Sequence, residues 1–436
     1  MSIDDRVPFE HPWPEERLDK LADVIVGGTP STSVRAFWGG DIPWMSSGDV
    51  HLRRINSVPG RITQKGLSSS NATLVDPPAV VIALAGQGKT RGTVGLTFTR
   101  LCGNQSIAFI KPRSDELNAS FLFHCLEIRY EELRARSAGG GRAGLSKGIL
   151  EHLPICFPDP VEQREIAAFL DTADESIAKT EALIAKLKAI KQGLLHELLT
   201  RGLDDNGLLR DPDSHPEHFK ESPLGYVPIA WDTPTINDLA IHVGSGITPT
   251  GGSNVYKSEG VLFIRSQNVT FEGLLLEDVA YIDYRTHQMM ARSEVSAHDV
   301  LLNITGASIG RCCPVPEGLG SANVNQHVCA IRTAKPRRED AVFLSAVLAS
   351  FIGQRQIDRL NAGSNRQGLN YQQLRSFVLP WPRDDSERVE IATKIESAES
   401  RIIAEKSYLS KLEAIKKGLM QDLLTGRVRV PFKDGD

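Results

Sequence analysis

The sequence predicts an α+β chain in which one structural unit is used twice, each copy a mixed α/β globular domain followed by a long amphipathic helix. Two observations predict this. Short motifs from the first half return in the second half in unchanged order. Apolar residues also keep a heptad spacing through the last ~40 residues of each copy, whereas upstream they fall in short runs separated by Gly, Ser, Thr and Asn.

The repeat is dense. LADVIVGGTP after Trp13 is answered by LAIHVGSGITP after Trp231, and IPWMSSGDV (from Ile42) by VLFIRSQNV (from Val261). VVIALAG (Val80) faces VLLNITG (Val300), and NQSIAFIK (Asn104) faces NQHVCAIR (Asn325). RAGLSKGILEHL (Arg142) faces RQGLNYQQLRSF (Arg366), and EQREIA (Glu162) faces ERVEIA (Glu387). The strongest pair is LKAIKQGLLHELLT (Leu187) with LEAIKKGLMQDLLT (Leu412). A period this long makes each copy a domain rather than one turn of a ~20–50-residue solenoid. The helical parts nearly coincide in pattern, while the globular parts keep their apolar skeleton and change most polar residues. Two copies that share an assembly role and differ in what they recognise would look like this.

The predicted order is a globular domain over 1–158, a first long helix over 159–202, a linker over 203–222, a second globular domain over 223–383, a second long helix over 384–426 and a tail over 427–436. In the globular parts AVVIAL, QSIAFI, VLFIRS, DVLLNI and HVCAIR read as strands, with one helix per copy following them (ASFLFHCLEIRYEELRA and AVFLSAVLASFIGQRQI). Asp159, Pro160 and Glu162 read as N-cap, first-turn proline and acidic third residue. The seam of the first helix is Leu170, Ile177, Ile184, Leu187, Leu194 and Leu198, and that of the second is Ile395, Ile402, Leu409, Leu412, Leu419 and Leu423. A seam held over four heptads predicts a coiled coil, and antiparallel pairing with a pseudo-two-fold relation is expected. Lys191 and Lys416 share one seam slot, as register-fixing residues or as lysines that snorkel past a leucine. Gly193 and Gly418 recur mid-helix, where close helix approach or a local break would explain them.

The bulk numbers exclude several classes. With 41% hydrophobic and 24% charged residues the chain is an ordinary globular protein of two or three domains. The net charge of −4 is unlike a lone nucleic-acid binder, so basic residues must cluster or partners must supply phosphate contacts. Six cysteines form no CxxC pair, the N-terminus lacks a signal-peptide pattern, and no apolar run approaches the ~20 residues of a membrane span. A cytoplasmic location and no membrane partner are expected.

The loops between strands are glycine-rich and lightly basic, a composition suited to approaching a backbone and reading base edges. Their candidate DNA contacts are Thr29, Ser47, Lys89, Arg91 and Arg142 in the first copy. In the second they are Thr248, Arg265, Gln267, Arg311, Arg366 and Tyr371. No catalytic or metal site is expected. LAGQGKTRG resembles a P-loop, but Ala83 stands where a glycine is needed and strand-like TVGLTF follows. DPPA at Asp76 lacks the aromatic that would stack a flipped base. His215 and His218 have no second ligand pair for zinc.

KESPLGYVPIAW (from Lys220), the GGTP and GITP segments, ITGASIG, the two NQ strands and the twin LxAIKxGLxxxLLT helices together resemble the specificity (S) subunit of type I restriction–modification enzymes. The resemblance covers nearly the whole chain. It implies that each globular domain is a target recognition domain reading one half of a bipartite, asymmetric site in double-stranded DNA. It implies helices that set the gap and dock two methyltransferase (M) subunits, with motor-nuclease (R) subunits joining them in a prokaryotic cytoplasm. No cofactor is implied in this chain; S-adenosylmethionine, ATP and Mg would belong to the partner subunits. The alternative reading is a non-DNA coiled-coil adaptor with two ligand-binding heads.

Overall fold

A computed structural model describes residues 13–86, 88–136, 144–249, 255–361 and 368–430. The chain divides into two compact units, Met1–Glu181 with Tyr408–Asp436, and Ala182–Ser407.

The first unit is built on a five-stranded sheet of β1 (Ala22–Val26), β2 (Arg54–Ile55), β3 (Ala79–Ala83), β4 (Val94–Thr97) and β5 (Ile107–Pro112), in the order β1-β5-β3-β4-β2. Both faces are covered, which is why AVVIAL reads as an unbroken apolar run rather than an alternation. Val80 and Ile82 pack with Ala108, Ile110 and helix α1 (Ala119–Ile128), while Val81 and Ala83 pack with Phe109, Met45 and Val50. The second unit repeats the plan with β6 (Ala240–Ser245), β7 (Val300–Asn303), β8 (Cys312–Pro314) and β9 (Val328–Thr333), in the order β6-β9-β7-β8.

The registers agree residue for residue. Val80 lies opposite Ile110 and Val300 opposite Ile331, each pair from the same motifs. The one-residue drift between LADVIVGGTP and LAIHVGSGITP is absorbed where β6 slips register between Ala240 and His242, leaving Ile241 exposed as a bulge. Trp13 meets Phe121 edge-on at 6.3 Å, and Trp231 meets Phe343 edge-on at 6.3 Å.

The long helices are α2 (Pro160–Thr200) and, beyond the second unit's helix α3 (Arg338–Ala349), α4 (Asp385–Leu423). Asp159 caps α2 through its Oδ1, which accepts from the amides of Val161 (2.9 Å) and Glu162 (3.1 Å). Within each unit the helix segments run antiparallel. In the first, Arg429 reaches Glu162 and Lys416 reaches Asp174; in the second, Lys191 reaches Glu399 and Leu203 reaches Glu387. Leu170, Ile184, Leu198, Ile395, Ile402 and Leu423 are buried, and Ile177, Leu187, Leu194, Leu409, Leu412 and Leu419 half-buried. Both helices continue through Gly193 and Gly418, and a Cβ at either would meet nothing within 4 Å among the described residues. Among the described residues, neither close approach nor a break accounts for these glycines.

Residues 203–222 are folded onto the second unit. Leu203 is buried, and Phe219–Ser222 pairs antiparallel with Gly225–Pro228. The anchor is Glu387, whose carboxylate accepts from Arg210 (2.6 and 3.1 Å), the Leu203 amide (2.8 Å) and the Trp231 indole (3.0 Å). In the first unit the equivalent Glu162 has a fully buried side chain and is held by Arg429 at 2.6 Å through both oxygens. Each long helix therefore begins with a buried carboxylate bound by an arginine that follows the end of the other.

Candidate functional site

The described candidate recognition residues collect at one end of each main sheet. In the first unit β1 leads into Gly27-Gly28-Thr29, and the Gly28 amide donates to the Gly103 carbonyl (2.7 Å). The Asn104 amide donates to Met45 (3.0 Å), and the Thr29 hydroxyl donates to the Gln105 carboxamide. Ser47 lies beside this on a short 3-10 turn (Ser47–Leu52) closed by a capping box between Ser46 and Asp49. The loop after β3 carries Lys89, exposed, and Arg91, half-buried. Tyr130 donates to the Lys89 carbonyl (2.7 Å) and Arg134 to Gly88 (2.8 Å), while His51 and Thr90 join turn and loop at 3.2 Å. The Arg91 Nε is buried with no hydrogen-bond partner among the described residues.

The second unit rebuilds this frame with other side chains. The Gly246 amide donates to Asn325, the Asn325 amide to Ile264, and the Thr248 hydroxyl to the Gln326 carboxamide. The turn that holds Ser47 in the first unit is Arg265-Ser266-Gln267-Asn268 here, with the same amide-to-N3 closure (3.0 Å). Arg265 and Gln267 both turn to Asp278, Arg265 to its carbonyl at 3.1 Å and Gln267 to its carboxylate at 2.7 Å. The Arg265 guanidinium lies 5.9 Å from the Tyr256 ring centre, and its Nε is buried and unpaired among the described residues. Arg311 is exposed on the loop after β7. Tyr371 uses its hydroxyl internally, accepting from the Ser245 amide at 3.0 Å, and leaves its ring partly exposed. Arg142 and Arg366 lie outside the described residues.

Sequence reasoning missed Gln105 and Gln326, the partners of the two threonines. The recurring NQ pair was the available signal, and it was read only as the start of a strand. Asp278 had no such signal, because it sits in a stretch the first copy does not share.

The catalytic-looking motifs stay unsupported. Lys89-Thr90 leads into β4, not into a helix whose N-terminus could bind phosphate. His124, Glu127 and Asp174 stand close enough to hold a metal, but Lys416 occupies the centre, 2.6 Å from both Glu127 and Asp174, with Arg53 against the same two carboxylates. The exposed group His215, Glu217 and His218 is the other such cluster among the described residues.

The Lys416 cluster makes the first unit acid-sensitive. Burial raises the Glu127 carboxyl, but the neighbouring His124 ring, its Nδ1 3.7 Å away, and the charges of Arg53 and Lys416 outweigh it and hold it well below the ordinary 4.5. The unfolded chain therefore binds a proton that the folded one does not. Its stabilisation is complete above about pH 5 and is lost as pH falls toward the folded value. Urea midpoints should drop between pH 6 and about pH 3, and Glu127→Gln should flatten that slope. An unchanged slope in the variant would assign the acid limb to other groups.

Residues 10–189 match the family described as Type I restriction modification DNA specificity domain. The type I restriction enzyme MjaVIII specificity subunit of Methanocaldococcus jannaschii is 21% identical over 431 residues, covering 98% of this chain and 94% of that protein. The EcoR124I/EcoR124II specificity subunit of Escherichia coli is 28% identical over 163 residues, covering 36% of this chain and 40% of that protein. Among solved structures, a type I restriction–modification S subunit from M. genitalium superposes with a TM-score of 0.59 at 16% identity, covering 96% of this chain and 97% of that one. A chain from a study of type I complex assembly and conformational transition gives 0.55 at 14% identity, with 97% and 100% covered.

Proposed function

We propose, on the premise that the chain is a relative of the type I restriction–modification specificity subunits, that it serves such a system as its non-catalytic DNA-reading subunit. Each globular domain reads one half of a bipartite, asymmetric sequence. The paired helices fix the gap and dock two methyltransferase subunits, which motor-nuclease subunits join. S-adenosylmethionine, ATP and Mg act in those partners.

One observation carries this reading: the two rims share a frame and differ in the groups they present. The Thr–Gln pair recurs (Thr29 with Gln105, Thr248 with Gln326), while Ser46-Ser47-Gly48-Asp49 is exchanged for Arg265-Ser266-Gln267-Asn268. Arginine and glutamine at such positions are suited to base edges, and the frame itself to the sugar–phosphate backbone. Arg142 and Arg366 are candidates for the same role from the sequence. The chain's acidic balance fits a reader whose partners complete the phosphate contacts.

Mapping the methylated sites of a random duplex library with the co-expressed methyltransferase tests it. Arg91→Ala or Lys89→Ala should relax the first half-site alone, and Arg311→Ala the second alone, by about 1–3 kcal/mol at the position read. A first-domain substitution that changed the second half-site would overturn the assignment of one domain to one half-site.

A further inference from the structure

The recognition turn of the second unit has an exposed acid beside it, on a surface where phosphate would favour none. In the first unit the acid of this turn is used inside it: the Asp49 carboxylate accepts from the Ser46 amide (2.7 Å) and hydroxyl (2.9 Å). In the second unit the equivalent position is Asn268, which is buried and whose Oδ1 accepts from the Arg265 amide (3.0 Å). The Asn268 Nδ2 reaches out of the turn and donates to the carbonyls of Leu275 (2.9 Å) and Asp278 (2.8 Å). A buried side chain thus pins the backbone of Asp278, while the Asp278 carboxylate stands 84% exposed beside the turn.

Arg265 and Gln267 are both tied to this one residue. Arg265 donates through Nη2 to the Asp278 carbonyl (3.1 Å) and lies 3.4 Å from its Oδ1, and Gln267 donates through Nε2 to Oδ2 (2.7 Å). With the Arg265 Nε buried, Nη1 is the guanidinium nitrogen that has no partner among the described residues and can still reach a ligand. Gln267 keeps its carboxamide oxygen and one N–H unused among the described residues. Arginine and glutamine read guanine and adenine with such groups. An exposed carboxylate at this place also repels phosphate, so it weakens contact with every duplex alike. A residue that opposes binding in general and holds two base readers acts on selectivity.

We infer that Asp278 is a positioning residue for the second half-site, holding Arg265 and Gln267 in the orientation that reads bases and withholding them from the sugar–phosphate backbone. Ordering a long side chain on binding weakens affinity by roughly two- to tenfold. Here that ordering precedes the DNA, and it favours one orientation of each reader. The first copy does not share the stretch that holds Asp278, so the effect is confined to the second half-site. This assignment rests on the DNA-reading role proposed above and adds the residue that makes its second rim selective.

The test uses the full chain co-purified with its methyltransferase, mapping methylated sites in a random duplex library and measuring affinity for a duplex that lacks the site. Asp278→Ala should lower discrimination at one or two positions of the second half-site by about two- to tenfold and leave the first half-site as it is. The released Arg265 then reaches a phosphate, so the slope of log affinity against log salt on the duplex without a site should steepen by about one. A merely structural role would not move that slope. In a chain already carrying Arg265→Ala and Gln267→Ala, Asp278→Ala should change the second half-site no further. The substitution keeps the carbonyl that Asn268 holds, so the turn retains its fold. An unchanged second half-site, an unchanged slope, relaxation of the first half-site, or a further change in the Arg265 and Gln267 background would each overturn the assignment. A parent complex that methylates without sequence preference would instead overturn DNA reading itself, whereas a selective parent with an indifferent Asp278→Ala sinks this assignment alone.

Discussion

Replacing Glu387 by alanine is expected to cost the second unit about 3–5 kcal/mol, the loss typical of breaking a buried charge pair from one side. Its side chain is 8% exposed and its two oxygens serve three donors: Arg210, the Leu203 amide and the indole of Trp231. Arg210, itself 13% exposed, would be left without its counter-charge, and Trp231 is fully buried. Three features therefore loosen together: the start of α4, the chain segment after α2 and the short strand Trp231–Asp232. Glu387→Gln keeps the shape and an acceptor for one donor, so it should cost less. Urea unfolding followed by tryptophan emission checks this directly. A loss under about 1 kcal/mol for the alanine variant would show that Arg210 and the indole find other partners. The matching Glu162→Ala should cost less than Glu387→Ala, because Arg429 is 52% exposed and water can replace the lost contact.

Much of this frame was legible in the residues. The strands were readable because both sheet faces are buried, so Val80–Ala83 and Val300–Leu302 had to be apolar throughout. The duplicated motifs then carried register from one copy to the other, because a strand that slips by one residue turns its core face outward. The bulge at Ile241 shows how an inserted residue is tolerated without that slip. What stayed hidden depends on contacts between distant segments. Glu162 and Glu387 read as helix-start acids, which Asp159 and Asp384 already provide for; nothing local said that arginines 267 and 177 residues away would bury them. Likewise Lys191 and Lys416 were placed correctly in the seam, but whether they snorkel or pair is decided by Glu399, Glu127 and Asp174. At the rim, motif recurrence pointed to the threonines and missed the glutamines that hold them, since a side-chain pair across a turn leaves no periodic trace.

The second large effect is expected on partner docking, and it follows from the two glycines that the chain's own packing does not explain. Gly193 and Gly418 each cost the helix about 1 kcal/mol relative to alanine. They face open space, three residues after Ile190 and Ile415, which are 54% and 56% exposed. An apolar side chain left in solvent beside a missing one, in both copies, fits a surface that a partner's backbone approaches closely, and does so twice. The methyltransferase subunits of the proposed assembly are the partners assigned to it. Ile190→Glu with Ile415→Glu should leave the isolated chain folded and weaken each docking event by about 2 kcal/mol or more, roughly thirtyfold. Gly193→Ala with Gly418→Ala separates docking from folding. Each should raise the chain's own stability, by about 0.4–1 kcal/mol from the restricted unfolded state alone, and still weaken docking, because the added methyl stands where the partner must come close. Native mass spectrometry across a titration with the methyltransferase reads both. Undiminished docking by the glutamate pair would place the contact on another face of the helices, and the glycines would again want an explanation.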